Sequence, residues 1–150
     1  MGQQFRNRNW DERYLAMGDE AEQVFERVHP RGWSRFGIRR PEIQVGKLPL
    51  KIRYTPDYIT SFHLVEVQGF GKDQLVKLKL EKERALHAWN DDMATQMFLW
   101  DRTNQRYGYI DIADLTHAAH THGQLDWLDN KRAWFIPAAE MEMTWQSAKS

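Results

Sequence analysis

Cysteine is absent from the 150 residues. That removes disulfide frameworks, thiolate metal centres and cysteine nucleophiles together, and it fits a reducing compartment. Long apolar runs are missing too: nothing approaches the ~18–20 residues that would span a bilayer. The opening MGQQFRNRNWDERY is polar, neither leader nor anchor, and Arg6 stands where acylation at Gly2 would want Ser or Thr. The expectation is therefore a cytoplasmic chain with no membrane partner. Net charge is zero, with 21 Lys and Arg against 21 Asp and Glu, so no global field advertises nucleic acid. No Pro/Gly/Ser-rich linker or repeat divides the chain, and its length suits one domain over residues 1–150. It lacks GxxxxGK[ST], GxGxxG and GxSxG, so ATP hydrolysis, nicotinamide chemistry and serine hydrolysis have no support and no nucleotide cofactor is expected.

What is present is unevenly distributed. Arg31, Arg35, Arg39, Arg40, Lys47, Lys51 and Arg53 face one acid, Glu42, and a second basic segment holds Lys72, Lys77, Lys79, Lys82 and Arg84. Either can bind phosphates locally, or be a solvated face. Tyr14, Met17, Ala21, Val24, Phe25 and Val28 recur at helical spacing, predicting a helix from Asn9 or Asp11 to Val28 that His29-Pro30 ends. A basic, aromatic loop follows. Alternation in LPLKIRYT (Leu48, Leu50, Ile52, Tyr54) predicts a strand, and His63 to Gln68 a second. Asp73 can cap a helix running to about Trp89, with Leu75, Leu78 and Leu86 on its buried stripe. Strands are expected at Met97–Trp100, Arg106–Ile112 and Arg132–Ile136, and a helix from Ile112 to about His120 that Gly123 stops. The order describes an α/β domain around a mixed sheet.

The chemistry gathers in TPDYITSFHLVEVQGFGK, residues 55–72. Side chains alternate along a strand, so Glu66 and Gln68 share a face with Leu64, while Val65 and Val67 take the other. Asp57, at the end of the neighbouring strand, can approach Glu66. Two carboxylates and the Val67 carbonyl make a hard oxygen site suited to Mg²⁺ or Mn²⁺.

Pro56-Asp57 followed by Glu66-x-Gln68 at the end of an apolar strand resembles the signature of the PD-(D/E)xK nuclease superfamily. The preceding helix adds a match, since Gly18-Asp-Glu-Ala21-Glu22-Gln-Val24 resembles the G-x-x-A-E segment of archaeal-type Holliday junction resolvases. The Gly37–Pro41 link resembles theirs as well. The resemblance covers about the first ninety residues. It implies a restriction-endonuclease-like core, a mixed central sheet flanked by helices; the elements expected beyond it add a C-terminal strand-helix-strand extension that carries no family motif. It implies a divalent-metal-dependent DNA endonuclease, with Asp57, Glu66, the Val67 carbonyl and Glu22 on the metal, branched DNA as substrate and a homodimer as the acting form. Glu20 and Glu22 flank the apolar face at similar angles.

The family pattern ends in lysine, where this chain has Gln68. An amide orients a water but brings no positive charge. In some members the lysine sits in the following helix. Counted as a helix from Asp73, the segment puts Lys79 and then Lys72 at the stripe's edge, Lys82 almost within it and Lys77 opposite. Arg35, Arg39 and Arg40 are the expected phosphate contacts, and Trp33 a base-stacking platform. The rival reading is a nuclease fold without catalysis, a DNA-binding or phage assembly component in a bacterial host's cytoplasm. His117, His120 and His122 suggest zinc but lack a partner segment, which favours a solvated helix end.

Overall fold

The computed structural model describes residues 17–37 and 48–149. The expected start of the first helix, and Arg39, Arg40 and Lys47, lie outside them. Helix α1 occupies residues 17–28 of the described chain. Strands β1 (Trp33–Arg35), β2 (Tyr58–Thr60) and β3 (Leu64–Phe70) form an antiparallel meander. Strand β5 (Thr95–Asp101) then pairs parallel to β3, with Glu66 beside Met97 and Gln68 beside Leu99. Parallel pairing requires a crossover, supplied by β4 (Leu75–Lys79) and helix α3 (Leu80–Asp92). Strand β6 (Arg106–Asp111) and the short β9 (Gln146–Ser147) complete a mixed six-stranded sheet, ordered β1-β2-β3-β5-β6-β9. Helix α4 (Ile112–His122) leads into the hairpin of β7 (Gln124–Leu128) and β8 (Lys131–Pro137), which forms a second sheet with β4. The expected strand–helix–strand order is thus present as β6, α4 and this hairpin.

Each face of the main sheet has its own core. Tyr58, Val65, Val67, Phe98 and Trp100 pack against Ala21, Val24 and Phe25 of α1. The fully buried Phe25 ring lies 4.4 Å from Tyr58 and 5.3 Å from Phe98, and burying such a side chain is worth about 1.5–3 kcal/mol. On the other face Phe70, Met97, Leu99 and Ile110 meet Leu86, Leu115, Val76, Leu78 and Ile136. The two-residue alternation of β3 and β5 is what serves both cores.

Two expected elements are different. LPLKIRYT is not a strand: Leu50–Arg53 forms a short helix, α2, with Pro49 as its N-cap. Four alternating residues are too few to separate a strand from one helical turn, and long-range contacts decide. The Trp89 indole N–H donates to Lys51 O at 2.9 Å, and Lys51 pairs with Asp92. The expected helix from Asp73 also fails, since residues 75–79 are β4 and α3 starts only at Leu80. The Asp73 carboxylate caps a turn there, accepting from the Leu75 N–H at 3.1 Å. Val76 and Leu78 alternate into the core, and β4 finds its partner in β8, Leu78 opposite Trp134. Strands β1, β2, β7 and β9 were not expected, and Asp57 precedes β2 where it was expected to end a strand over LPLKIRYT. Gly123 does end α4, through its N–H to Ala119 O at 2.9 Å. No helix among the described residues is long and apolar enough to cross a membrane.

Candidate functional site

The register of β2 on β3 builds the site. Tyr58 lies opposite Val65, so the next position sets Asp57 against Glu66 on one face. Three contacts hold Asp57. Its carbonyl accepts the Phe36 and Gly37 N–H groups at 2.9 and 3.2 Å, and its Oδ2 accepts the Val67 N–H at 2.9 Å. A Cβ on Gly37 would lie 3.0 Å from Pro56 O and 3.2 Å from Asp57 Cα, both backbone atoms. Gly37→Ala is accordingly expected to cost about 1–3 kcal/mol by displacing the Asp57 backbone, read as a lowered melting temperature. An unchanged melting temperature would show that the loop yields freely.

Glu66 is 6% exposed. Its Oε2 sits 2.6 Å from Lys82 Nζ, and it shares a hydrogen bond with Asp57. Burial first, then the charge and hydrogen bond of Glu66, push the Asp57 carboxyl well above its ordinary value, against the pull of the Val67 N–H and Lys82. Two carboxylates this close hold a proton between them or take a cation. Lys82 Nζ also donates to Gln68 Oε1 at 3.3 Å, while Gln68 Nε2 donates to Lys77 O at 2.7 Å. The amide is therefore fixed, its oxygen toward the lysine and its nitrogen clamped to β4.

The lysine beside the acid pair is Lys82, not the expected Lys79 or Lys72. Helical phase counted from Asp73 does not apply, because the helix starts seven residues later. Lys79 becomes the N-cap of α3, and Lys72 is exposed between β3 and β4. Lys77, on β4, pairs with Asp73 at 2.9 Å. Lys82 lies one turn before the buried Ala85 and Leu86, on the inner side of α3. The sequence already signalled it by placing Lys82 almost within the apolar stripe.

The first helix contributes differently from expectation. Glu22 Oε2 pairs with Arg35 at 3.0 Å, and the same guanidinium donates to the Tyr58 hydroxyl at 2.8 Å. Glu22 thus braces α1 against β1 and β2 instead of joining Asp57 and Glu66. Glu20 lies elsewhere, 3.3 Å from Arg102. Trp33 is half-buried, donating to His29 O and packing edge-on to Tyr58 at 5.2 Å, which commits its ring to the fold. The three histidines are engaged separately or exposed. His120 pairs with Glu83 at 3.2 Å and lies 4.6 Å from the Trp134 ring, His122 faces Glu140 at 3.7 Å, and His117 is exposed. No group of three or more His, Cys, Asp or Glu among the described residues is placed to hold a metal ion.

Neither a protein-family model nor a curated protein matches this chain. Similar solved structures include Hjc, a Holliday junction resolvase from the archaeal hyperthermophile Archaeoglobus fulgidus. The TM-score is 0.49 at 9% identity, covering 83% of this chain and 91% of that one. At that identity no residue role transfers, and the chemistry rests on this chain's own side chains.

Proposed function

We propose that the chain is a PD-(D/E)xK-type DNA endonuclease that hydrolyses phosphodiester bonds with Mg²⁺ or Mn²⁺. The observation that carries this is the meeting of Asp57, Glu66, Gln68 and Lys82 at one edge of β3. A buried acid pair neutralised by a proton and an ammonium is a place where a divalent cation can displace the proton. Asp57 and Glu66 would hold the ion. The Val67 carbonyl would join them, because it faces the same strand edge as the Val67 N–H that reaches Asp57. When bound, the ion would acidify a water and neutralise charge on a phosphodiester oxygen.

The protein's own groups complete the reading. Lys82 supplies the positive charge that Gln68 lacks, at a mostly dry position where charge acts strongly on the developing phosphate oxyanion. Gln68 offers its oxygen to orient the attacking water. Branched DNA is the favoured substrate, on the resemblance of the Gly18–Val24 segment, and a homodimer the acting form. Arg39 and Arg40 remain phosphate contacts in this reading, while Arg35, Glu22 and Trp33 hold the frame.

The test is cleavage of a labelled four-way junction and a matched linear duplex in Mg²⁺ or Mn²⁺, with EDTA controls. Junction cutting that stops with EDTA is expected. Cutting of both substrates would keep the nuclease and discard the junction preference. No cutting of either would move the reading to a non-catalytic DNA-binding or phage assembly role. Sedimentation of the same preparation should give twice the chain mass, and a monomer would remove the dimer.

A further inference from the structure

Glu81 Oε2 is the meeting point of three donors from two other segments. Lys131 Nζ, at the start of β8, lies at 2.8 Å, the Tyr54 hydroxyl at 3.3 Å and Arg53 Nη1, at the end of α2, at 3.6 Å. The Lys131 hydrogen bond above all, with the Lys131 charge, the Tyr54 hydrogen bond and the Arg53 charge, holds the Glu81 carboxyl below its ordinary value against the opposing effect of burial. Both Glu81 and Lys131 remain more than a third exposed. Exposed ion pairs contribute little to stability, about 0–1 kcal/mol each, so this convergence is a weak way to hold the fold. It is a good way to hold an anion. Ammonium, guanidinium and phenol directed at one oxygen are the donors that proteins aim at phosphate oxygens.

Its position matters. Lys82, the next residue, reaches Glu66. Its charge also acts on the Tyr54 hydroxyl, so one ammonium of α3 links the cluster electrostatically to the acid pair. We propose that Lys131, Tyr54 and Arg53 form a binding site for a backbone phosphate of a nucleic acid strand, with Glu81 occupying the phosphate's place until the strand arrives. The inference deepens the nuclease reading and rests on it. It also gives the C-terminal hairpin a part in substrate binding.

The test is a fluorescence anisotropy titration of the full chain with a labelled duplex and a four-way junction, in EDTA, over a range of salt. Lys131→Gln should weaken binding to both about three- to tenfold and make the slope of log K against log salt shallower by about 0.9, the loss of one phosphate contact. Glu81→Gln should tighten binding about threefold, by freeing the donors. A purely structural cluster gives no such opposition of sign. Melting curves check the fold, and if Lys131→Gln does not fold, the sign of Glu81→Gln decides. Wild-type binding that neither substitution alters would overturn the site and leave the nuclease reading standing. Wild-type protein that binds no DNA would overturn both. Thermal stabilisation by inorganic phosphate without DNA binding would assign the cluster to a small phosphate ligand and overturn the proposal.

Discussion

Asp57→Asn is expected to abolish metal-dependent cleavage while making the metal-free protein more stable at neutral pH. The lost activity follows from the proposed ion ligand. An amide cannot balance a divalent charge, and loss of several kcal/mol of charge stabilisation lowers the rate about a thousandfold or more. The gain in stability follows from the acid pair. Burial and Glu66 raise the Asp57 carboxyl well above its ordinary value, so the folded state holds this proton more tightly than the unfolded chain does. The associated stability is fully present below the unfolded value of about 3.9 and is lost as pH rises through the raised folded value. Melting curves in EDTA should therefore show the wild type falling relative to Asp57→Asn as pH increases across that window. The Asn side-chain oxygen can still accept the Val67 N–H, so the local fold survives. Parallel pH profiles would show that the two carboxyls do not share a proton, and undiminished cleavage would remove Asp57 from the site.

Lys82→Ala should lower both stability and rate. It leaves Glu66, 6% exposed, without the ammonium at 2.6 Å. Removing one partner of a largely buried pair costs about 2–4 kcal/mol. Loss of a positioned charge at the reacting phosphate costs about a hundred- to a thousandfold in turnover. The double variant Lys82→Ala/Glu66→Gln separates the two effects, because it removes the stranded charge and should regain much of the stability with no activity. Denaturant melts and single-turnover cleavage on the same preparations read both. A single variant that cuts at the wild-type rate would pass the charge to another cation.

The acid pair was legible because its signal is local. The Pro56-Asp57 turn and the alternation of Leu64 to Gln68 placed Asp57 near Glu66, but the strand that carries it there is β2, after Asp57, and not the expected strand over LPLKIRYT, which is α2. The lysine was less legible. LVKLK and LEKER both carry leucines that fit a helical stripe, and only the pairing of Leu78 with Trp134, fifty-six residues on, makes the first of them a strand. With that boundary moved, the cation at the site changes from Lys79 to Lys82. Glu22 shows the same limit. Its angle on α1 is readable, but its partner depends on where β1 delivers Arg35.

Sequence alone therefore determined a cysteine-free α/β chain whose strands alternate apolar faces, and it pointed to Asp57 and Glu66 as neighbours, readings that rest on residue type and period. Tertiary structure decided which lysine reaches that pair, that Leu50–Arg53 coils into a helix against α3, and that Lys131 meets Tyr54 and Arg53 at Glu81. Those outcomes depend on contacts between residues far apart in the chain, where strand pairing and buried packing outweigh the weak local preferences of short segments.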